Sequence, residues 1–172
     1  MRTEFRISGS GGQGVITAGI MLANSAVQSG LYAVQSQSYG PEARGGSSKA
    51  EVVISHEEID YPKAVSPDYI LCLTKDSYLA YGKNAPDNAK VYVDSSISIE
   101  GDARAVSVPI MESARKISLR SANVVAVAFL SGLTGLISED NLKSALKQQF
   151  PRFYETNLKC AEAGFAMAKK LS

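Results

Sequence analysis

The sequence predicts an α/β fold, a three-layer Rossmann-like arrangement with a mostly parallel sheet and additional C-terminal helices. Three observations carry this expectation. Short runs rich in Val and Ile alternate with segments of helical period through the first two thirds of the chain. A glycine-rich stretch, Gly9-Ser10-Gly11-Gly12-Gln13-Gly14, stands between the first strand pattern and the first helical one. From Ser121 onward the pattern is helical only, as for a helical cover added to a sheet.

Taken in order, residues 4–8 read as a short strand. From Val15 apolar side chains recur at Ile16, Ile20, Ala23 and Val27, the spacing of one helix face, and Gly30 stands where a left-handed residue ends a helix. Residues 31–35 alternate as a second strand, so the first third reads as a βαβ unit with a parallel crossover. Residues 49–55 give a further strand, and residues 69–73 an uninterrupted apolar run suited to a central strand covered on both faces. Thr74 suits an N-cap, with Asp76 in the first turn where the helix dipole favours an acid. Residues 91–93 and 106–108 supply two more strands.

Residues 122–133 are apolar all round and must be buried. Ser138 begins the next helix, with Glu139 and Asp140 in its first turn and Ile137 and Leu142 at the positions of a hydrophobic staple. Pro151 separates it from a final helix carrying Tyr154, Leu158, Ala161, Phe165 and Ala168 on one face. No linker or repeat divides the chain, and 1–172 is expected to form a single domain.

Composition excludes several classes. A net charge of +1, from 18 basic and 17 acidic residues, provides no field for nucleic acid or an anionic membrane. The start, Met1-Arg2-Thr3-Glu4-Phe5-Arg6, lacks the apolar core of a signal peptide. The most apolar segment, 124–137, is interrupted by Ser131, Gly132, Thr134 and Gly135 and is shorter than the ~20 residues of a span, so a cytoplasmic location is expected. Cys72 and Cys160 form no CxxC pair and read as reduced structural thiols, leaving no ligand set for zinc or an iron-sulfur cluster. His56, the only histidine, leaves no histidine-based triad or metal site, and no catalytic residue is expected on this chain.

Gly9, Gly11 and Gly14 match GxGxxG in the context that gives the pattern meaning, after a strand and at the start of a helix. Glycines allow positive φ and close backbone approach, leaving helix N-terminal amides free for a phosphate. A dinucleotide site would also need an acid about 20 residues on, at the end of the second strand. That neighbourhood reads Gln35-Ser36-Gln37-Ser38, which weakens NAD. Gln13-Gly14-Val15 stands where a Walker loop would carry Lys-Ser/Thr.

A second unusual stretch, Ser38-Tyr39-Gly40-Pro41-Glu42-Ala43-Arg44-Gly45-Gly46-Ser47-Ser48, joins a rigid turn at Gly40-Pro41 to backbone freedom at Gly45-Gly46. Arg44 suits a two-pronged anion anchor, against the plainer reading of an Arg-Glu pair on a turn. Following a strand, this loop is expected at the carboxyl edge of the sheet beside the glycine loop, where open α/β folds bind ligands. Asp94-Ser95-Ser96 either reaches the same edge or forms a capped turn, and Asn123, in an apolar helix, needs a carbonyl or ligand partner.

Together, GSGGQGVITAG, SYGPEARGGSSKAEVVIS and the late Asn-containing helix resemble the gamma subunit of 2-oxoacid:ferredoxin oxidoreductases, over nearly the whole chain. The continuation Arg44-Gly45-Gly46-Ser47 is most similar to the 2-oxoglutarate type. The resemblance implies oxidative decarboxylation of a 2-oxoacid with coenzyme A to an acyl-CoA and carbon dioxide, with electrons passed to ferredoxin or a similar acceptor. It implies that alpha, beta and delta-type partner subunits hold thiamine diphosphate, magnesium and the iron-sulfur clusters. This chain would bind no cofactor tightly, cover the active site and contribute to coenzyme A binding. The residues it singles out are Gly9, Gly11, Gly12, Gln13 and Gly14, then Tyr39, Gly40, Glu42, Arg44, Gly45 and Gly46, and Asn123. Without its partners such a subunit exposes apolar surface, and a homodimer in isolation is admitted. A self-sufficient NAD(P)-dependent oxidoreductase and a non-catalytic scaffold are the alternatives.

Overall fold

The structure, a computed structural model, describes residues 1–38 and 47–171. Six strands form one sheet in the order β2-β3-β1-β4-β5-β6: β1 (Arg2–Ser10), β2 (Tyr32–Ser38), β3 (Ser47–Ser55), β4 (Tyr69–Cys72), β5 (Lys90–Asp94) and β6 (Ala105–Val108). Strands β1, β4, β5 and β6 run parallel, while β3 is antiparallel to both of its neighbours, β1 and β2. The sheet is therefore mixed, and the first βαβ unit differs from the sequence expectation in one respect. Strands β1 and β2 point the same way but do not pair, because β3 lies between them. The connection from β2 to β3 is too short for the crossover that parallel neighbours need, so the chain returns as a hairpin.

Helices lie on both sides of this sheet. On one face, Phe5, Ile7, Val52, Ile54, Leu71 and Tyr92 join a core with α1 (Val15–Gln28) and α4 (Ala122–Thr134). On the other, Ile70, Cys72, Val91 and Val93 pack with Tyr78 of the π-helical turn Tyr78–Gly82, which continues the single turn α2 (Lys75–Ser77). Burial of neighbouring residues on opposite faces is what an apolar run such as β4 requires. Thr74 caps α2 in a reciprocal box with Ser77, each backbone N–H bonded to the other's side chain at 3.2 Å.

Helix α1 ends as expected: Gly30 has φ 79°, its N–H donates to Val27 O, and the Leu31 N–H reaches back to Ala26 O at 3.1 Å. Its buried face is the expected one only in part: Val15 and Ala23 are buried and Ile16 packs on the core. Ala18, Gly19, Leu22 and Ala26 meet the core, whereas Ile20 is 44% and Val27 57% exposed. The reason is close approach: a Cβ on Gly19 would lie 2.6 Å from Ala50 Cβ of β3, so only small side chains fit between helix and sheet. Ile20 and Val27 are turned to the flank, while Ile16 packs partly buried against the core.

Helix α4 is buried along its length, from Val124 to Ser131, as its composition demands. Around it pack α3 (Ile110–Arg115), a short helix with no clear signal in the sequence, α5 (Glu139–Gln149) and α6 (Tyr154–Ala168). Ser138 accepts the Asn141 N–H at 3.1 Å to start α5, and Ile137 and Leu142 are buried as its staple. Among the described residues no helix is long and apolar enough to cross a membrane.

Candidate functional site

The glycine loop joins β1 to α1 at the carboxyl edge of the sheet. Gly9 is the tight position: a Cβ there would meet Gln13 Oε1, Val15 Cγ2 at 3.1 Å and Leu73 Cβ at 3.2 Å. Gln13 folds back over the turn, its Oε1 accepting the Ser10 N–H at 2.8 Å. Gly14, with φ 72°, is the N-cap of α1 and lies against the Asn123 side chain, whose Nδ2 would be 3.0 Å from an added Cβ. Thus Gly9, Gln13, Gly14 and Asn123 form one contiguous unit, and Asn123 also accepts the Val124 N–H on its own Oδ1 at 3.0 Å.

Gly11 and Gly12 are different. Nothing lies within 4 Å of a Cβ at either, and only Gly12 has a positive φ, of 88°. Helix α1 has no side-chain cap and no acid in its first turn, so no side chain neutralises its positive end. A crevice of about 290 Å³ runs from Gln13 past Leu73 and Thr74 to Ser96, with Lys75 and Arg115 on its walls. Neither cation is in a salt bridge among the described residues. They come from two different short helices, and no spacing in the sequence pairs either with the glycines.

Asp94 is committed to structure. Fully buried, its carboxylate accepts N–H bonds from Ser96 at 3.0 Å and Met111 at 2.7 Å, holding the turn after β5 and the start of α3. Residues Tyr39, Gly40, Glu42, Arg44, Gly45 and Gly46 lie outside the described residues. The chain resumes at the glycine loop: Ser47 pairs with Ser10, and Ser48 Oγ donates to Gly9 O at 3.3 Å.

An adjoining cavity of about 550 Å³ contains Tyr78, Lys83, Asp102 and Arg104. Three of its groups are tied together, with Tyr78 Oη donating to Asp102 Oδ2 at 2.7 Å and Arg104 Nε 3.4 Å from Oδ1. Cys72 and Cys160 belong to different cores on opposite faces of the sheet, so they have no geometry for a shared metal or cluster. Burial pushes the Cys72 thiol up to about 11, leaving it protonated at neutral pH.

The site fails the geometric test for a dinucleotide fold. The end of β2, where the ribose-binding acid belongs, is separated from β1 by the whole of β3, or roughly 10 Å at two strand spacings.

The pyruvate ferredoxin/flavodoxin oxidoreductase family model matches residues 4–167. The chain is 40% identical, over 99% of its length and 96% of the relative's, to the 2-oxoglutarate synthase subunit KorC of Methanocaldococcus jannaschii. It is similar to the crystal structure of a keto/oxoacid ferredoxin oxidoreductase gamma subunit from Geobacter sulfurreducens, with a TM-score of 0.84 and 34% identity, covering 99% of this chain and 98% of that one. It also shares its fold, with a TM-score of 0.85 and 24% identity, with a 2-oxoglutarate:ferredoxin oxidoreductase from Magnetococcus marinus that has 2-oxoglutarate, coenzyme A and succinyl-CoA bound. That match covers 99% of this chain and 32% of the other.

Proposed function

The chain belongs to the pyruvate ferredoxin/flavodoxin oxidoreductase family and is a gamma subunit of the 2-oxoglutarate:ferredoxin oxidoreductase type; from this premise we propose that its open glycine loop receives a phosphate of coenzyme A. The reaction is oxidative decarboxylation of 2-oxoglutarate with coenzyme A to succinyl-CoA and carbon dioxide. Alpha, beta and delta-type subunits hold the thiamine diphosphate, magnesium and iron-sulfur clusters and pass electrons to ferredoxin or a similar acceptor. Residues 1–172 act as one gamma-type domain that covers the active site and is inactive alone. In this reading Tyr39, Glu42 and Arg44 meet the ligand or the neighbouring subunit.

The observation that carries the proposal is the contrast within the loop. Gly9 and Gly14 are needed by the fold, since side chains press on both, whereas Gly11 is surrounded by open space and has no positive φ. A glycine without a structural reason, in a loop that leads to an uncapped helix N-terminus and whose Gln13 shares a crevice with Lys75 and Arg115, is explained by close approach of an anion to the backbone.

Gly11→Ala in the assembled enzyme provides the test, because the fold accepts a methyl there. The KM for coenzyme A in succinyl-CoA formation should rise by about fivefold, the equivalent of about 1 kcal/mol, with subunit stoichiometry unchanged. A change below about twofold, about 0.4 kcal/mol, would leave the loop as packing only.

A further inference from the structure

Behind the glycine loop a separate cavity of about 400 Å³ opens between α1, the start of α4 and the junction of α5 with α6. This is the size of small-molecule sites, and its walls have the corresponding two characters. Met21, Phe150 and Phe153 provide apolar surface, while Arg120, Asn123 and Asn157 provide N–H donors.

The decisive side chain is Asn157. It is 5% exposed, it lines the cavity, and its Oδ1 accepts the Ser121 hydroxyl at 2.8 Å, a bond that leaves its NH2 group unused. Its NH2 group carries two N–H donors that an acceptor in the cavity can take up. Asn123 has spent its Oδ1 on the Val124 N–H and has donors to offer. Arg120 is exposed, and among the described residues it forms no salt bridge and no acid lines the cavity. The thirteen-residue α4 begins here with no side-chain cap and no acid in its first turn, which adds to the positive potential.

We propose that this cavity binds a small organic carboxylate. Its anionic group would lie on Arg120 and the two asparagine amides, and its apolar part against Met21, Phe150 and Phe153. One guanidinium fork with neutral amide donors matches the single charge and planar geometry of a carboxylate; a phosphate monoester would carry nearly twice the charge. The site goes beyond the coenzyme A reading and does not depend on it.

The full chain and the assembled enzyme are titrated by calorimetry with 4-phenylbutyrate and with its neutral amide, and the side-chain NH2 signals of Asn123 and Asn157 are followed in the 15N-labelled chain. Saturable binding of the carboxylate is expected in both preparations, with both NH2 signals moving. The amide, or the Arg120→Gln chain, should bind at least about tenfold more weakly, while Arg152→Gln outside the cavity should bind as the parent does. Equal affinity for carboxylate and amide would overturn the proposal, as would the absence of saturation by about 10 mM. Binding by the chain that is lost on assembly would also overturn it, assigning the cavity to a side chain of another subunit.

Discussion

Tyr78 and Asp102 show how one contact ties stability to pH. The Tyr78 hydroxyl, and after it the Arg104 backbone N–H, hold the Asp102 carboxyl below its ordinary range, while burial and the same contact push Tyr78 up to about 12. Because the folded carboxyl titrates lower than the unfolded one, its stabilising effect is complete above the ordinary carboxylate range and is lost as pH falls through the lowered value. For Tyr78 the effect is complete below its unfolded value and is lost only as pH rises toward about 12. Tyr78→Phe should therefore destabilise the chain at neutral pH by about 1–2 kcal/mol, measured by urea unfolding. The difference should shrink below about pH 4; a constant gap down to acid pH would assign it to packing instead.

At the scale of elements, the crossing of α4 and α6 sets the thickness of the helical cover. A Cβ on Gly164 would stand 2.7 Å from Ala128 Cβ and closer still to Val125 O, and one on Gly132 would stand 2.7 Å from Ala168 Cβ. On an exposed helix, Gly→Ala gains up to about 1 kcal/mol from propensity alone. Here overpacking, at about 1–3 kcal/mol, acts against that gain and should reverse its sign. Gly164→Ala should thus lower the unfolding midpoint at unchanged slope, whereas a raised midpoint would mean that the two helices separate freely.

For the molecule as a whole, the flank built by α1 and β2 is the conspicuous unpartnered region. Ile20, Val27 and Tyr32, the last 52% exposed, lie beside an edge strand that pairs only with β3 among the described residues. The segment Tyr32–Ser38 contains no charge or proline of the kind that protects free edges. Apolar surface next to an unprotected edge fits a subunit whose neighbours are absent. Ile20→Glu should change the stability of the chain by no more than about 0.5 kcal/mol and yet reduce co-purification of the other subunits. Full recovery of the complex would show this flank to be plain surface.

Much of this molecule is legible locally. Thr74, Ser138 and Gly30 mark helix ends by hydrogen bonds that close within a few residues, and α4 announces its burial through composition alone. The glycine loop and its kinship with the family were likewise readable from adjacent residues. Tertiary structure decided what depends on partners distant in the chain: the insertion of β3 between β1 and β2, and the choice of the Gly19 side of α1 for the core. It also brought Lys75 and Arg115 to one crevice with Gln13 of the glycine loop, and Asn157 to one cavity with Arg120. The physical reason is range. Caps and periodicity are energies of neighbouring residues, whereas strand order, buried faces and shared cavities arise only when packing selects among locally equivalent arrangements.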